Sequence, residues 1–143
     1  MRLWHKDLLP YLPDLQFKGQ LRELVLIMHD WRDKGKTNHL LINLLVFYPK
    51  SELSAYFHYY SRLYYKRYGK SVSSKTNQEF IEFAISPPKP IFEGWHNKEY
   101  LRVCMANLYE KYKFGRGKSR ITEGEWQRLL DGYKQITGEE YEI

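Results

Sequence analysis

Between Leu12 and Trp31 the chain reads LPDLQFKGQLRELVLIMHDW, and Phe17, Leu21, Leu24, Met28 and Trp31 recur in it at spacings of four, three, four and three. That is the period of one helical face, and Val25 widens the stripe. Pro13 suits the first turn, where its missing N–H has no intrahelical partner to lose. A helix of about five turns with one apolar face must be covered by something. No stretch of the chain shows the alternation of a half-buried strand, so the cover is expected to be helical. Glu23 falls roughly 160° around from Leu21, nearly opposite the stripe. Gly19 and Gln16 precede it on the same outer face. A mid-helix glycine costs about 1 kcal/mol against alanine. It is expected where another backbone passes close by, leaving a notch in front of the carboxylate. Glu23 is therefore either a solvated charge beside Arg22 or a carboxylate facing such a notch.

Three further stretches carry helical stripes. SELSAYFHYYSRLYYKRYG, residues 51–69, has Leu53, Phe57, Tyr60 and Tyr64 on its inner face, with Ser51 as the expected cap and Gly69 as the stop. NKEYLRVCMANLYEKYKFG, residues 97–115, sets Leu101, Cys104, Met105, Leu108 and Tyr112 on one stripe behind an Asn97 cap. A last helix starts at Thr122, where Thr-Glu-Gly-Glu reads as a capping box, and runs to about Thr137 with Trp126, Leu129, Leu130 and Tyr133 inward. LLINLLVF at 40–47 fits helix or strand on pattern alone; without a partner strand it is expected to be a short buried helix ending before Pro49. A short helix capped by Thr76 or Asn77 follows. Pro87, Pro88 and Pro90 exclude helix from the stiff SPPKP segment at 86–90, which Trp95 is expected to anchor. Leu3, Trp4, Leu8, Leu9 and Tyr11 make residues 1–11 an ordered arm. The expected architecture is one all-α domain over residues 1–143, with three long helices plus shorter ones.

With 28% charged residues and a mean hydropathy of −0.66, no apolar run reaches transmembrane length. The opening segment carries Asp7 and two prolines, which does not read as a signal peptide. The one cysteine, Cys104, excludes an internal disulfide framework, lies on a core stripe and fits a cytoplasmic location. A net charge of +6 suits a polyanionic partner. The 13 tyrosines, several beside Lys or Arg, serve equally as stacking surfaces and as core. Arg62, Lys66, Arg67 and Lys70 make the end of the second helix positive, for phosphate contact or for compensation of the helix dipole. KYKFGRGKSR at 111–120 packs five cations and two glycines into ten residues and is the strongest local binding signal. It lacks the Walker arrangement.

His5, His29, His39, His58 and His96 have no metal-ligand spacing, and no serine elbow or Cys/His signature is present. Metal-free lyase chemistry remains. In it an amine attacks the anomeric carbon of a deoxyribose and holds the sugar as a Schiff base, while a carboxylate assists proton transfers. An α-amine suits the task, since its unperturbed pKa is near 7.7–8.0.

MRLWHKDLLPYLPDLQFKGQLREL resembles the amino terminus of the pyrimidine-dimer DNA glycosylases related to phage endonuclease V, in its MRLW start, its L-P-x-x-Q stretch and its Arg-Glu pair. HNKEYLRVCMANLYEKY resembles the last helix of that family. The resemblance implies an all-α fold and glycosylase activity with an abasic-site lyase step, without cofactor or metal. It also implies an amino-terminal amine as nucleophile, Glu23 as catalytic carboxylate and Arg22 as a DNA contact. In the phage enzyme a threonine amine reacts after the initiator methionine is removed. Arg2 is too bulky for that trimming, so Met1 is expected to stay and to supply the amine, unless processing exposes Arg2. The string YYKRYGK at 64–70 looks like the aromatic-basic end of the phage enzyme but lies mid-chain, and that role is not carried over.

The expected partner is duplex DNA with a damaged or modified base, flipped out for cleavage by a monomeric protein. Gln16 and Arg22 would line the site, and Lys66, Arg67, Arg116, Lys118 and Arg120 would grip phosphates. Two other classes fit the same residues. One is a non-enzymatic DNA- or RNA-binding module, and the other is a helical interaction protein that meets its partner through exposed tyrosines.

Overall fold

The computed structural model describes residues 2–37, 40–85 and 90–143, without the side chains of residues 40–43. The described residues form five α-helices and three 3-10 segments, and no strand. The helices are α1 (Asp14–Lys34), α2 (Lys50–Tyr68), α3 (Ser74–Phe83), α4 (Lys98–Phe114) and α5 (Glu123–Thr137). The all-α expectation holds, with α5 a fourth helix of substantial length. No helix among the described residues is long and apolar enough to cross a membrane. On α1 the stripe is inward as its spacing requires: Phe17, Leu24, Met28 and Trp31 are buried, and Leu21 and Val25 half-buried. Ile27 and Gln20 are buried as well. The notch at Gly19 is not there, because a Cβ on that residue would meet nothing within 4 Å.

By its internal contacts the chain divides into two compact units. The first comprises Met1–Leu3 and Gln20–Trp95. Its core is aromatic. Leu53, Tyr56, Phe57 and Tyr60 of α2 are buried, and Phe57 stacks on Phe80 of α3 at 3.9 Å between ring centroids. Gly35 and Gly69 end α1 and α2 in left-handed conformations, at φ 72° and 70°, where a side chain would be strained. After α3, Phe92 is buried at φ 53°, and its N–H donates to Glu52 Oε1 at 2.8 Å. Trp95 is buried against Phe92, with ring centroids 5.1 Å apart, so it anchors this turn. Residues 86–89 of the SPPKP segment lie outside the described residues, as does His39.

Three local expectations need correction. Helix α2 starts at Lys50 with Pro49 in the cap position and no side-chain cap, so Ser51 lies inside the first turn. Helix α3 is capped by Ser73, whose hydroxyl accepts the Thr76 N–H at 3.3 Å, not by Thr76 or Asn77. Asn77 instead turns its amide back to the Val72 carbonyl. The run Leu40–Phe47 is a 3-10 segment, and it is not buried throughout: Leu45 is buried but Leu44 and Phe47 are 51% and 81% exposed. A three-residue period gives a continuous apolar run no single inner face.

The second unit comprises Trp4–Gly19 and His96–Ile143. Its 3-10 segment Lys6–Tyr11 packs on α5, where Gly132 makes room for the Tyr11 ring that a Cβ would strike. Arg128 donates to the Pro10 carbonyl at 2.8 Å. Trp4, Leu8, Leu9 and Leu12 are buried here and Leu3 in the first unit, as an ordered arm requires. Asn97 caps α4 by accepting the Tyr100 N–H at 2.8 Å, and the Thr122–Glu125 capping box forms in full. Leu101, Cys104, Met105 and Leu108 of α4 and Trp126, Leu129 and Tyr133 of α5 are buried. The imidazole of His96 accepts the Lys6 N–H at 3.0 Å and stacks on His5 at 5.1 Å. Burial, reinforced by His5 and Lys6, pushes its pKa down to about 2, so it is neutral.

Candidate active site and basic surfaces

Gln20 and Glu23 are three residues apart on α1 and therefore project to the same side, one turn apart. The Gln20 side chain is fully buried, and its Oε1 accepts the Tyr56 hydroxyl at 3.2 Å. That leaves its amide nitrogen to donate to the Arg2 carbonyl at 2.9 Å. One turn further on, Glu23 Oε2 accepts the Arg2 N–H at 3.2 Å. Both backbone polar groups of residue 2 are thus bound to two side chains of one helix. Tyr60, on α2, is fully buried, and burial, helped by Tyr68 and Tyr64, pushes its hydroxyl well above the ordinary tyrosine value, so it stays protonated.

The half-buried carboxylate of Glu23 lies within proton-transfer reach of the nitrogen of residue 2. With residue 1 attached that nitrogen is an amide; in a chain that starts at Arg2 it is a primary amine. Met1, the other candidate nucleophile, lies outside the described residues. Arg22 is exposed beside Glu23. Gln16 belongs to the second unit, where its Oε1 is buried and has no hydrogen-bond partner among the described residues. Gln20 and Tyr56 are absent from the sequence-based site. The spacing of Gln20 to Glu23 is the one signal that could have found the former.

The expected phosphate contacts lie on two elements. Lys66 is exposed and Arg67 half-buried in the last turn of α2, beside the Tyr64 and Tyr68 rings, whose centroids are 4.8 Å apart. Arg116, Lys118 and Arg120 are exposed on the loop that leaves α4. That loop is closed where the N–H of buried Ile121 donates to the Lys111 carbonyl at 3.3 Å. Gly115 sits at the pinch, where a Cβ would collide with the same carbonyl oxygen. A 3-10 turn at Gly117–Ser119 follows, fixed by Ser119 Oγ donating to the Arg116 carbonyl at 2.8 Å.

The first 70 residues match the family model described as pyrimidine dimer DNA glycosylase, and residues 71–143 lie outside the match. The amino-terminal part of the chain, with Arg2, Gln20 and Glu23, is therefore similar to DNA-repair glycosylases. No curated protein and no solved structure matches the chain.

Proposed function

We propose that this protein removes a damaged or modified base from duplex DNA and nicks the strand there, using an amino-terminal amine as nucleophile and Glu23 as acid and base. The observation that supports the reading is the 3.2 Å approach of the residue 2 nitrogen to the Glu23 carboxylate, inside the stretch similar to glycosylases. In the reaction the amine nitrogen bonds to C1′ while the bond from C1′ to the base breaks, and the base leaves with a proton. The amine then loses a proton, the furanose oxygen gains one, and the ring opens to a protonated Schiff base. Loss of a C2′ proton expels the 3′ phosphate. Water finally hydrolyses the imine and returns the amine. Each transfer needs a carboxylate close to the amine, which supports giving that task, and the stabilising of the cationic sugar, to the half-buried Glu23. Gln20 is a positioning residue, holding residue 2 through its carbonyl. The exposed Lys66, Arg116, Lys118 and Arg120, with half-buried Arg67, would supply phosphate contacts.

The test is borohydride trapping on abasic-site DNA with intact-mass analysis of protein and adduct. An adduct on residue 1 or 2 is expected, and the mass shows which residue begins the chain. No adduct, with salt-sensitive DNA binding still present, would favour a non-enzymatic nucleic-acid-binding module. The basic loop is the feature that would serve such a module.

A further inference from the structure

Positive charge in the second unit is handled in two ways. Lys6, Lys98 and Lys134 pair with Asp7, Glu139 and Glu140. Arg102 is held by the Tyr133 hydroxyl and the Glu142 carbonyl, and Arg128 by the Pro10 carbonyl. Lys113, Arg116, Lys118 and Arg120 are all exposed, and none has an acidic partner among the described residues. Lys113 can offset the dipole at the end of α4, but the other three lie beyond the helix, where that effect has faded. Clustered like charges repel one another, so four exposed cations crowded into one short stretch without an acidic partner favour a polyanion at this place. Among them stands Phe114, 74% exposed. It closes α4 and is the one large apolar side chain exposed on the stretch 111–120. The ring and the charges are carried on a fixed frame, closed by the Ile121–Lys111 bond and the pinch at Gly115.

The geometry points to Phe114 as a stacking platform for an unpaired base, on a nucleic-acid strand whose phosphates are gripped by Lys113, Arg116, Lys118 and Arg120. Every base offers an aromatic face, and an intact duplex hides those faces inside its stack. Phe114 therefore adds affinity only where a nucleotide is unstacked, while the four cations contribute on any strand. The inference rests on the nucleic-acid partner proposed above, and not on the amine chemistry.

The full chain, Phe114→Ala and Phe114→Tyr are titrated by fluorescence anisotropy against a short labelled duplex, either intact or with a single-nucleotide gap. Phe114→Ala should bind the gapped duplex about tenfold more weakly and the intact duplex within about twofold of wild type, with Phe114→Tyr restoring the difference. An unchanged melting temperature shows that the exposed substitution leaves the fold intact. Equal loss on both duplexes, or no loss on the gapped one, would overturn the proposal. So would Phe114-dependent binding to phosphatidylserine vesicles with no such dependence on DNA, which would make the loop a membrane contact. Borohydride trapping is read separately: an adduct without the Phe114 effect removes the stacking role alone, and the Phe114 effect without an adduct removes the catalytic reading alone.

Discussion

Glu23 and Glu52 perform the same chemistry in two places of the first unit, and the contrast separates a structural carboxylate from an available one. Each accepts a backbone N–H, at 3.2 Å from Arg2 and 2.8 Å from Phe92 respectively. Glu52 is 9% exposed, and it ties down a residue at φ 53°, a conformation that non-glycine residues rarely adopt. Its hydrogen bond holds a turn in the interior of the chain, leaving little room for a reactant. Glu23 is half-buried, and the nitrogen it holds lies at the start of the chain. The lesson is that hydrogen bonding alone does not distinguish the two acids; what the bond holds, and whether solvent still reaches the carboxylate, does.

The comparison breaks or sharpens under four measurements. The largest effect is expected from Glu23→Gln, which should lower strand cleavage at abasic sites by at least about a hundredfold. DNA affinity and melting temperature should stay close to wild type, and undiminished cleavage would remove Glu23 from the mechanism. Glu52→Ala should do the reverse. Losing the buried acceptor of the Phe92 N–H should cost about 2–3 kcal/mol in chemical denaturation, with turnover per folded molecule unchanged. A folded but inactive Glu52→Ala would collapse the distinction between the two acids.

The third measurement concerns a buried group that is neutral instead of charged. The pKa of His96 is lowered in the folded state, so the unfolded chain binds a proton that the native chain refuses once pH falls below about 6.5. Stability is therefore full above that value and declines as pH drops towards about 2, by at most about 1.4 kcal/mol per pH unit from this group. His96→Gln, which keeps an acceptor for the Lys6 N–H, should flatten the decline between pH 7 and 5; an unchanged slope would place the acid sensitivity elsewhere. The smallest effect is expected from Arg116→Ala combined with Lys118→Ala. The slope of log affinity against log salt should fall by about two, and a slope equal to wild type would exonerate the loop.

The parts of the fold legible in the sequence are those decided locally. Asn97, the Thr122–Glu125 box and Gly69 each act within one helical turn, and each sits where its pattern places it. Ser51 and Thr76 misled because a cap depends on register, and the caps are Pro49, two residues before Ser51, and Ser73, three before Thr76. Glu23 was open between a surface charge and a site carboxylate on the residues alone, and the family resemblance singled it out; the notch that would have marked it is absent. Gln20 was not legible, since an amide on an amphipathic helix reads as surface, and its burial depends on Tyr56 from 36 residues away. Glu52 likewise looks like an ordinary acid in a first helical turn, with nothing in its neighbourhood announcing Phe92 forty residues later. Phe114 is the converse case: two residues past Tyr112, the last of a core stripe, it passes for packing until its exposure is known.

The two bonds that hold residue 2 also make the start of this molecule a poor place for a handle. Any affinity tag fused ahead of residue 1 would turn both candidate amines of the proposed reaction into interior amides. If the amine reacts as proposed, material prepared that way would be chemically mute and would imitate the non-enzymatic alternative for a trivial reason. A handle belongs at the carboxyl end, or must be cut away without leaving a scar residue, before the chain is asked to react.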